Sequence, residues 1–279
     1  MIDLHTHSTA SDGSYSPRDL VHLAKAGGLQ ALAITDHDTV AGNLEALEAG
    51  RELGVEVVPG VEISADSTAG TIHIVGLFIN PDDQEMEATL RELRLFREER
   101  NRKMIARLAE LGIHLTLHEL VMEAGGDLVG RPHFASLLVK KGHVKHYQEA
   151  FDIYLKSGGK AYLDKKRLPS DQAIAMIKDA GGIPILAHPY TMREKARDDF
   201  EERLRELIEH GLRGIEVYYA EHSHADQILF ADLARRYNLL VSGGTDFHGA
   251  VKPDVMLGRG YGSMKIPYEL LEHMKETLS

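Results

Sequence analysis

The sequence predicts an α/β fold: a parallel sheet of seven strands, closed into a barrel and interrupted by a helical insertion. Short apolar runs alternate with amphipathic helical stretches, the pattern of a parallel sheet with helical crossovers. Nearly every apolar run also ends in His, Asp or Glu, as strands do when their C-terminal ends build the site of a closed barrel. An open doubly wound sheet is the structural alternative. The 279 residues suit one barrel carrying an insertion.

The first strand, Ile2–Leu4, runs into His5. Ser16 is placed to cap a helix over Pro17–Ala26, which Gly27 stops. The strand Ala31–Thr35 runs into Asp36 and His37, and a helix over Ala41–Leu53 ends at Gly54. One of Asp36 and Asp38 is expected to cap that helix. Val55–Val58, then Val61 and Ile63, surround Glu62, and Thr71–Phe78 carries His73 inside it.

The rhythm then breaks. Residues 81–169 read as a helical insertion covering the site, with a long charged helix over Asp82–Leu111 and a helical patch over Leu117–Leu155. The mixed charges around Arg91–Arg107 fall at helical spacing and predict a solvated face. The barrel, residues 1–80 and 170–279, resumes with a helix over Ser170–Ala180, with Ser170 as its cap and Gly181 as its stop. Ile183–Ala187 runs into His188, and a helix over Asp198–His210 ends at Gly211. The strand Gly214–Tyr218, a helix over Ala225–Tyr237 and the strand Leu239–Ser242 complete the pattern, the last leading into Gly243, Gly244, Thr245 and Asp246.

A formal net charge of −11 argues against a broad electrostatic grip on nucleic acid, so no stable nucleic-acid complex is expected. Bound cations can still reverse the sign of a pocket locally. With no cysteine there is neither a disulfide nor a thiolate zinc site. No leader and no apolar run of the roughly 20 residues that a membrane span needs are visible, which predicts a cytoplasmic monomer without a membrane partner.

The chemistry lies in the strand ends. His5 and His7 are two apart, so on extended backbone they point to one side and can share an ion. Asp12 follows in a Ser-Asp-Gly turn. Asp36, His37 and Asp38 directly follow a buried strand, where ionisable groups are costly unless something neutralises them. Glu62 sits in an apolar strand that supplies no arginine partner. His73 alone reads as a hydrogen-bonded core residue, and His188, Asp246 and His248 repeat the strand-end pattern. Any one of these motifs is ordinary, but as a set they describe a polynuclear metal site.

The motifs DLHTHS, ITDHDT, PGVEIS, HIVG, AHP and GGTDFH resemble those of the PHP family, the polymerase and histidinol phosphatase phosphoesterases. With the inserted GRPHFA segment, the spacing is most similar to the TrpH-like (YciV-like) branch. The resemblance implies a distorted (β/α)7 barrel and three divalent ions. His5, His7, Glu62 and Asp246 would hold the first, Glu62, His73 and His188 the second, and Asp12, His37 and His248 the third. A donor set without sulfur favours Mn²⁺, Fe²⁺ or Mg²⁺, Mn²⁺ first, and Zn²⁺ also suits imidazole.

The branch hydrolyses phosphates of nucleotides, including 3′,5′-nucleoside bisphosphates, AMP and the 5′ ends of short RNA. This implies a small nucleotide or short oligoribonucleotide as substrate. Ions about 3.5–4 Å apart would activate a shared water as hydroxide. Asp36, Asp246 and His248 are the candidate catalytic residues, Asp36 by orienting its neighbour His37, and Arg131 and His133 are the candidate phosphate binders. Histidinol phosphate as substrate, or a non-catalytic metal-binding module, are the alternative readings.

Overall fold

The computed structural model describes residues 1–68, 70–125, 128–196 and 199–278. Asp198, expected to open a helix, lies outside them. From the N-terminus run β1 (Ile2–Asp3), α1 (Pro17–Ala26), β2 (Ala31–Ile34), α2 (Asn43–Leu53), β3 (Glu56–Ser67) and β4 (Gly70–Leu77). Four helices follow: α3 (Gln84–Glu110), α4 (Leu117–Ala124), α5 (Arg131–Lys140) and α6 (Tyr147–Ala150), the last continuing into a π-helical turn over Phe151–Leu155. Then come β5 (Leu168–Pro169), α7 (Ser170–Asp179), β6 (Ile183–Leu186), α8 (Tyr190–Ala196) and α9 (Phe200–Glu209). The chain ends with β7 (Gly214–Tyr219), α10 (His224–Tyr237), β8 (Leu240–Gly244) and α11 (Glu269–Glu276).

The chain divides into two compact units, Met1–Glu87 with Arg167–Ser279, and Ala88–Lys166. In the first unit the strand order is β1-β2-β3-β4-β6-β7-β8, with β5 pairing off this path on β3. The edge strands meet: Leu4 N–H donates to Gly243 O at 3.1 Å and His7 N–H to Phe247 O at 2.9 Å. That seam closes the ring and rejects the open sheet.

The sheet is not wholly parallel, which corrects the sequence reading. β4 runs antiparallel to both β3 and β6. Its connection from Ser67 to Gly70 is far too short for a helical crossover, so β3 and β4 form a hairpin.

Local sequence explains most helix ends. Ser16 caps α1, its hydroxyl accepting from the Asp19 N–H at 3.1 Å. Gly54 ends α2 with φ +66°, a left-handed conformation that favours glycine. Two expected caps are absent. Ser170 is the first residue of α7 and Pro169 takes the cap position, while α2 is preceded by Gly42, so neither Asp36 nor Asp38 caps it. Instead, the Asn43 amide at the start of α2 donates to Gly60 O at 2.8 Å and accepts from Gly60 N–H at 2.9 Å. This two-point lock fixes the stretch of β3 just before Glu62.

Ile2, Leu4, Ala33, Val75, Ile183 and Ile185 form one buried cluster of the barrel with Leu271 and Met274 of α11. Leu20, Val21 and Ala24 of α1 and Ala46 and Ala49 of α2 cover Leu32 and Ile34 from outside. Burial on this scale stabilises by roughly 25 cal/mol per Å² of apolar surface.

The second unit is helical, with its own core around Met104, Leu108, Leu120, Phe134 and Leu138. Thr116 and Glu119 cap α4 reciprocally. The charged stripe of α3 carries exposed i,i+4 pairs such as Glu98–Arg102 at 2.7 Å, as a solvated face does. No described helix is long and apolar enough to cross a membrane.

Candidate metal centre

Five segments that end or lie in other barrel strands converge on Glu62, itself 1% exposed. Its Oε2 lies 3.4 Å from Nε2 of His5, 3.3 Å from Nε2 of His7 and 3.0 Å from Nδ1 of His37. Its Oε1 lies 2.9 Å from Nδ1 of His73 and 3.1 Å from Nε2 of His188. One carboxylate therefore presents each oxygen to a different set of imidazoles.

Asp246 closes the first set, its Oδ1 lying 3.0 Å from Nε2 of His7 and 3.7 Å from Nε2 of His5. Ligand atoms of His5, His7, Glu62 and Asp246 all fall within 4.8 Å of one another, as do those of His7, Asp12, His37 and His248, and those of His37, Glu62 and His73. His188 joins through Oε1 of Glu62 rather than as a member of one of these groups.

The donors fit a divalent cation. His5 Nε2, both ring nitrogens of His7, His37 Nδ1 and Glu62 Oε2 are buried without a hydrogen-bond partner. Buried polar atoms are nearly always satisfied, and leaving several orphaned together is costly unless a cation completes them. Nitrogen and carboxylate oxygen without sulfur suit Mn²⁺, Fe²⁺ or Zn²⁺.

Electrostatics agree. Burial works against charge on the rings, yet Glu62 and Glu216 hold His5 well above the ordinary imidazole value, and the neighbouring carboxylates raise His7 and His37. Burial would likewise raise the carboxyls, but the imidazoles around them hold Asp12, Glu62 and Asp246 well below the usual carboxylate range. For His73 burial wins and pushes the ring down to about 4, leaving it neutral and ready to donate at neutral pH.

The backbone is strained at the same places. Asp38, His188 and Asp246 have φ of +51°, +29° and +54°. Non-glycine residues rarely adopt this region, and such outliers gather at functional sites.

The PHP domain family matches this sequence over residues 3–232. The chain belongs to the PHP domain family.

Within the family the chain is 36% identical over 250 residues to a 3′,5′-nucleoside bisphosphate phosphatase of Chromobacterium violaceum, covering 88% of this chain and 87% of that one. It is 38% identical over 252 residues to a 5′-3′ exoribonuclease of Haemophilus influenzae, covering 88% and 89%. A solved structure from Bifidobacterium adolescentis, described as a metal-dependent phosphoesterase, matches with a TM-score of 0.85 at 31% identity, covering 98% of this chain and 94% of that one.

The other site residues expected from sequence fall into two groups. Asp36 is fully buried beside the PHP cluster, but its carboxylate is taken up by the loop that carries His7 and Asp12. It accepts from Ser8 N–H at 2.7 Å, Ser8 Oγ–H at 2.6 Å and Ser11 Oγ–H at 2.5 Å. Arg131 and His133 belong to the helical unit, at the start of α5. There Arg131 donates to Leu155 O at 3.3 Å, and the buried His133 accepts the Gly130 N–H on Nδ1 at 3.0 Å.

Sequence reasoning missed four residues that support the PHP site. Glu216 bonds His5 Nδ1 at 3.1 Å and accepts the His188 N–H at 2.7 Å. Asp3 accepts from Thr245 N–H at 2.9 Å and Thr245 Oγ–H at 2.6 Å, tying β1 to β8. Tyr219 and Lys252 both donate to Oδ2 of Asp246, at 3.0 and 2.6 Å. Glu216 carried the same signal as Glu62, a carboxylate inside an apolar strand. Asp3 and Lys252 carried none.

Proposed function

We propose that this PHP chain is a metal-dependent phosphoesterase that hydrolyses phosphate esters of nucleotides, with nucleoside 3′,5′-bisphosphates, AMP or short RNA 5′ ends as the substrate class. The observation that carries the reading is Glu62, whose two oxygens face separate sets of imidazoles. A carboxylate so placed would offer one oxygen to each of two neighbouring cations. Relatives acting on nucleotides and RNA, at more than 35% identity over most of the chain, support the substrate class.

On this reading His5, His7, Glu62 and Asp246 would hold one ion, Glu62, His73 and His188 a second, and Asp12, His37 and His248 a third, with Mn²⁺ foremost. Bound there, divalent cations lower the pKa of a water into the neutral range and offset charge on the phosphoryl oxygens.

The chain's own residues prepare that chemistry. Glu216 directs His5 by its Nδ1, so Nε2 is the nitrogen presented to the cluster. His248 Nδ1 bonds the main-chain oxygen of Asp246 at 2.8 Å, which leaves Nε2 facing Asp12 at 3.3 Å. Asp36 orders the turn between His7 and Asp12.

The test is phosphate release from adenosine 3′,5′-bisphosphate, AMP, 5′-phosphorylated short RNA and histidinol phosphate, each with Mn²⁺, Mg²⁺ and Zn²⁺. Turnover of the nucleotides, lost in a His5→Ala/His7→Ala double variant, is the expected result. No release from any nucleotide under any metal, or unimpaired turnover in the double variant, overturns the reading.

A further inference from the structure

Asp246 faces two ways. Its Oδ1 points at His5 and His7, while its Oδ2 is held by the Lys252 ammonium at 2.6 Å and the Tyr219 hydroxyl at 3.0 Å. Among the described residues, Lys252 is the only lysine or arginine within 4.0 Å of a carboxylate of Asp12, Glu62 or Asp246. It follows the short 3₁₀ turn Gly249–Val251, directly after His248, so the loop that delivers two cluster residues also delivers this cation.

We propose that Lys252 is a substrate-binding residue that rests on Asp246 and transfers its ammonium to a phosphoryl oxygen when the substrate arrives. This rests on the phosphoesterase reading above.

Three features carry it. The first is exposure: the Lys252 side chain is 36% exposed, against 9% for Asp246 and 1% or less for His5, His7 and Glu62. An anion entering from solvent meets the ammonium before the buried carboxylate. The second is the spare partner. When the ammonium leaves, Oδ2 keeps the hydroxyl of the buried Tyr219, so the departure does not orphan a buried oxygen.

The third is the change of charge around Asp246. In the metal-free protein Lys252 neutralises that carboxylate. With a divalent cation held by His5, His7, Glu62 and Asp246, that carboxylate would no longer need the ammonium, which would be free to pair with a dianionic phosphate. A lysine suits such a move, since it is a compact charge on a flexible four-carbon stem.

The experiment measures equilibrium binding of inorganic phosphate to the Mn²⁺-loaded protein, together with Mn²⁺ affinity, in wild type, Lys252→Met and Lys252→Arg. Loss of a charge-assisted hydrogen bond is expected to weaken phosphate binding about 10- to 100-fold in Lys252→Met. Lys252→Arg should recover most of it. Mn²⁺ affinity in Lys252→Met should be unchanged or tighter, because a repelling cation has gone.

Wild-type phosphate affinity in Lys252→Met overturns the proposal. So does a collapse of Mn²⁺ affinity in that variant, which would make Lys252 a scaffold for Asp246. A wild type that hydrolyses nucleotides while the variant binds phosphate normally sinks this inference alone. A Mn²⁺-loaded wild type that neither binds phosphate nor hydrolyses nucleotides sinks both.

Discussion

Nδ1 of His5 lies 3.1 Å from Oε1 of Glu216, and the other oxygen of that carboxylate accepts the main-chain N–H of His188 at 2.7 Å. One acid thus sets both a ring and a backbone segment whose imidazoles reach different oxygens of Glu62. Glu216→Gln replaces one of the two acceptors with an NH₂ group that cannot receive either donor. The variant is expected to lose about 10- to 100-fold in Mn²⁺ affinity while remaining folded. Calorimetric metal titration beside a melting curve checks it, and unchanged affinity would refute the role.

The cluster fixes a sign for pH dependence. His5, His7 and His37 have raised pKa values, so in the metal-free protein their stabilising contribution is complete below about pH 6.5 and fades as pH rises through the raised values. Asp12, Glu62 and Asp246 have depressed values, so their contribution is present above about pH 4.5 and fades on acidification. After chelation, this site therefore supports the fold best at mildly acidic pH, and a Tm profile is expected to show it. Metal must displace the imidazole protons, so apparent Mn²⁺ affinity should climb as pH rises above about 6.5 through the raised values, with proton release. Titrations in buffers of different ionisation enthalpy measure those protons, and a flat affinity profile contradicts the assignment.

Removing the Asp36 carboxylate strips three donors of their acceptor, among them the Ser8 N–H. Ser8 and Ser11 are fully buried, so water does not replace the lost bonds cheaply. Asp36→Ala is expected to lower unfolding free energy by about 1–3 kcal/mol. It should also weaken metal binding, since the turn carries His7 at one end and Asp12 at the other. Denaturant unfolding of the metal-free protein isolates the first effect. Wild-type stability there would remove Asp36 from the account.

Gly244 is a packing requirement of the site. A Cβ at this position would lie 2.2 Å from Cβ of His5 and 2.5 Å from its backbone nitrogen. Neither neighbour can yield without moving a ligand, so Gly244→Ala is expected to cost about 1–3 kcal/mol and to impair metal binding at His5. Gly243→Ala meets Cβ of Tyr218 at 2.6 Å instead, away from the cluster, and separates general crowding from displacement of the ligand. Equal Mn²⁺ affinity in the two variants would count against the explanation.

The site was legible because its donors follow strands, and strands advertise themselves as apolar runs. His5, His37, His188 and Asp246 could be placed at one mouth by that logic alone. His73 fits it less well: it lies in the reversed strand β4, in the N-terminal half rather than at the end. What betrayed the reversal was the short connection beside Gly70, a turn signal that the alternating βα pattern outweighed. Ser170 misled because serine before an acidic residue is a common cap signature, yet Pro169 occupies the cap and places serine one residue inside. Lys252 stayed hidden because one lysine in a surface-like loop is indistinguishable, in sequence, from any solvated lysine.

The seam between β1 and β8 ties Asp3 to Thr245, partners 242 residues apart. A chain emerging from the ribosome carries His5 and His7 well before Asp246 and His248, which come only with the last strand. The sets that need Asp246 or His248 cannot be completed before then, so the half-made protein lacks the full cluster. A complete cluster therefore requires a closed ring, with β1 and β8 joined across the whole length of the chain.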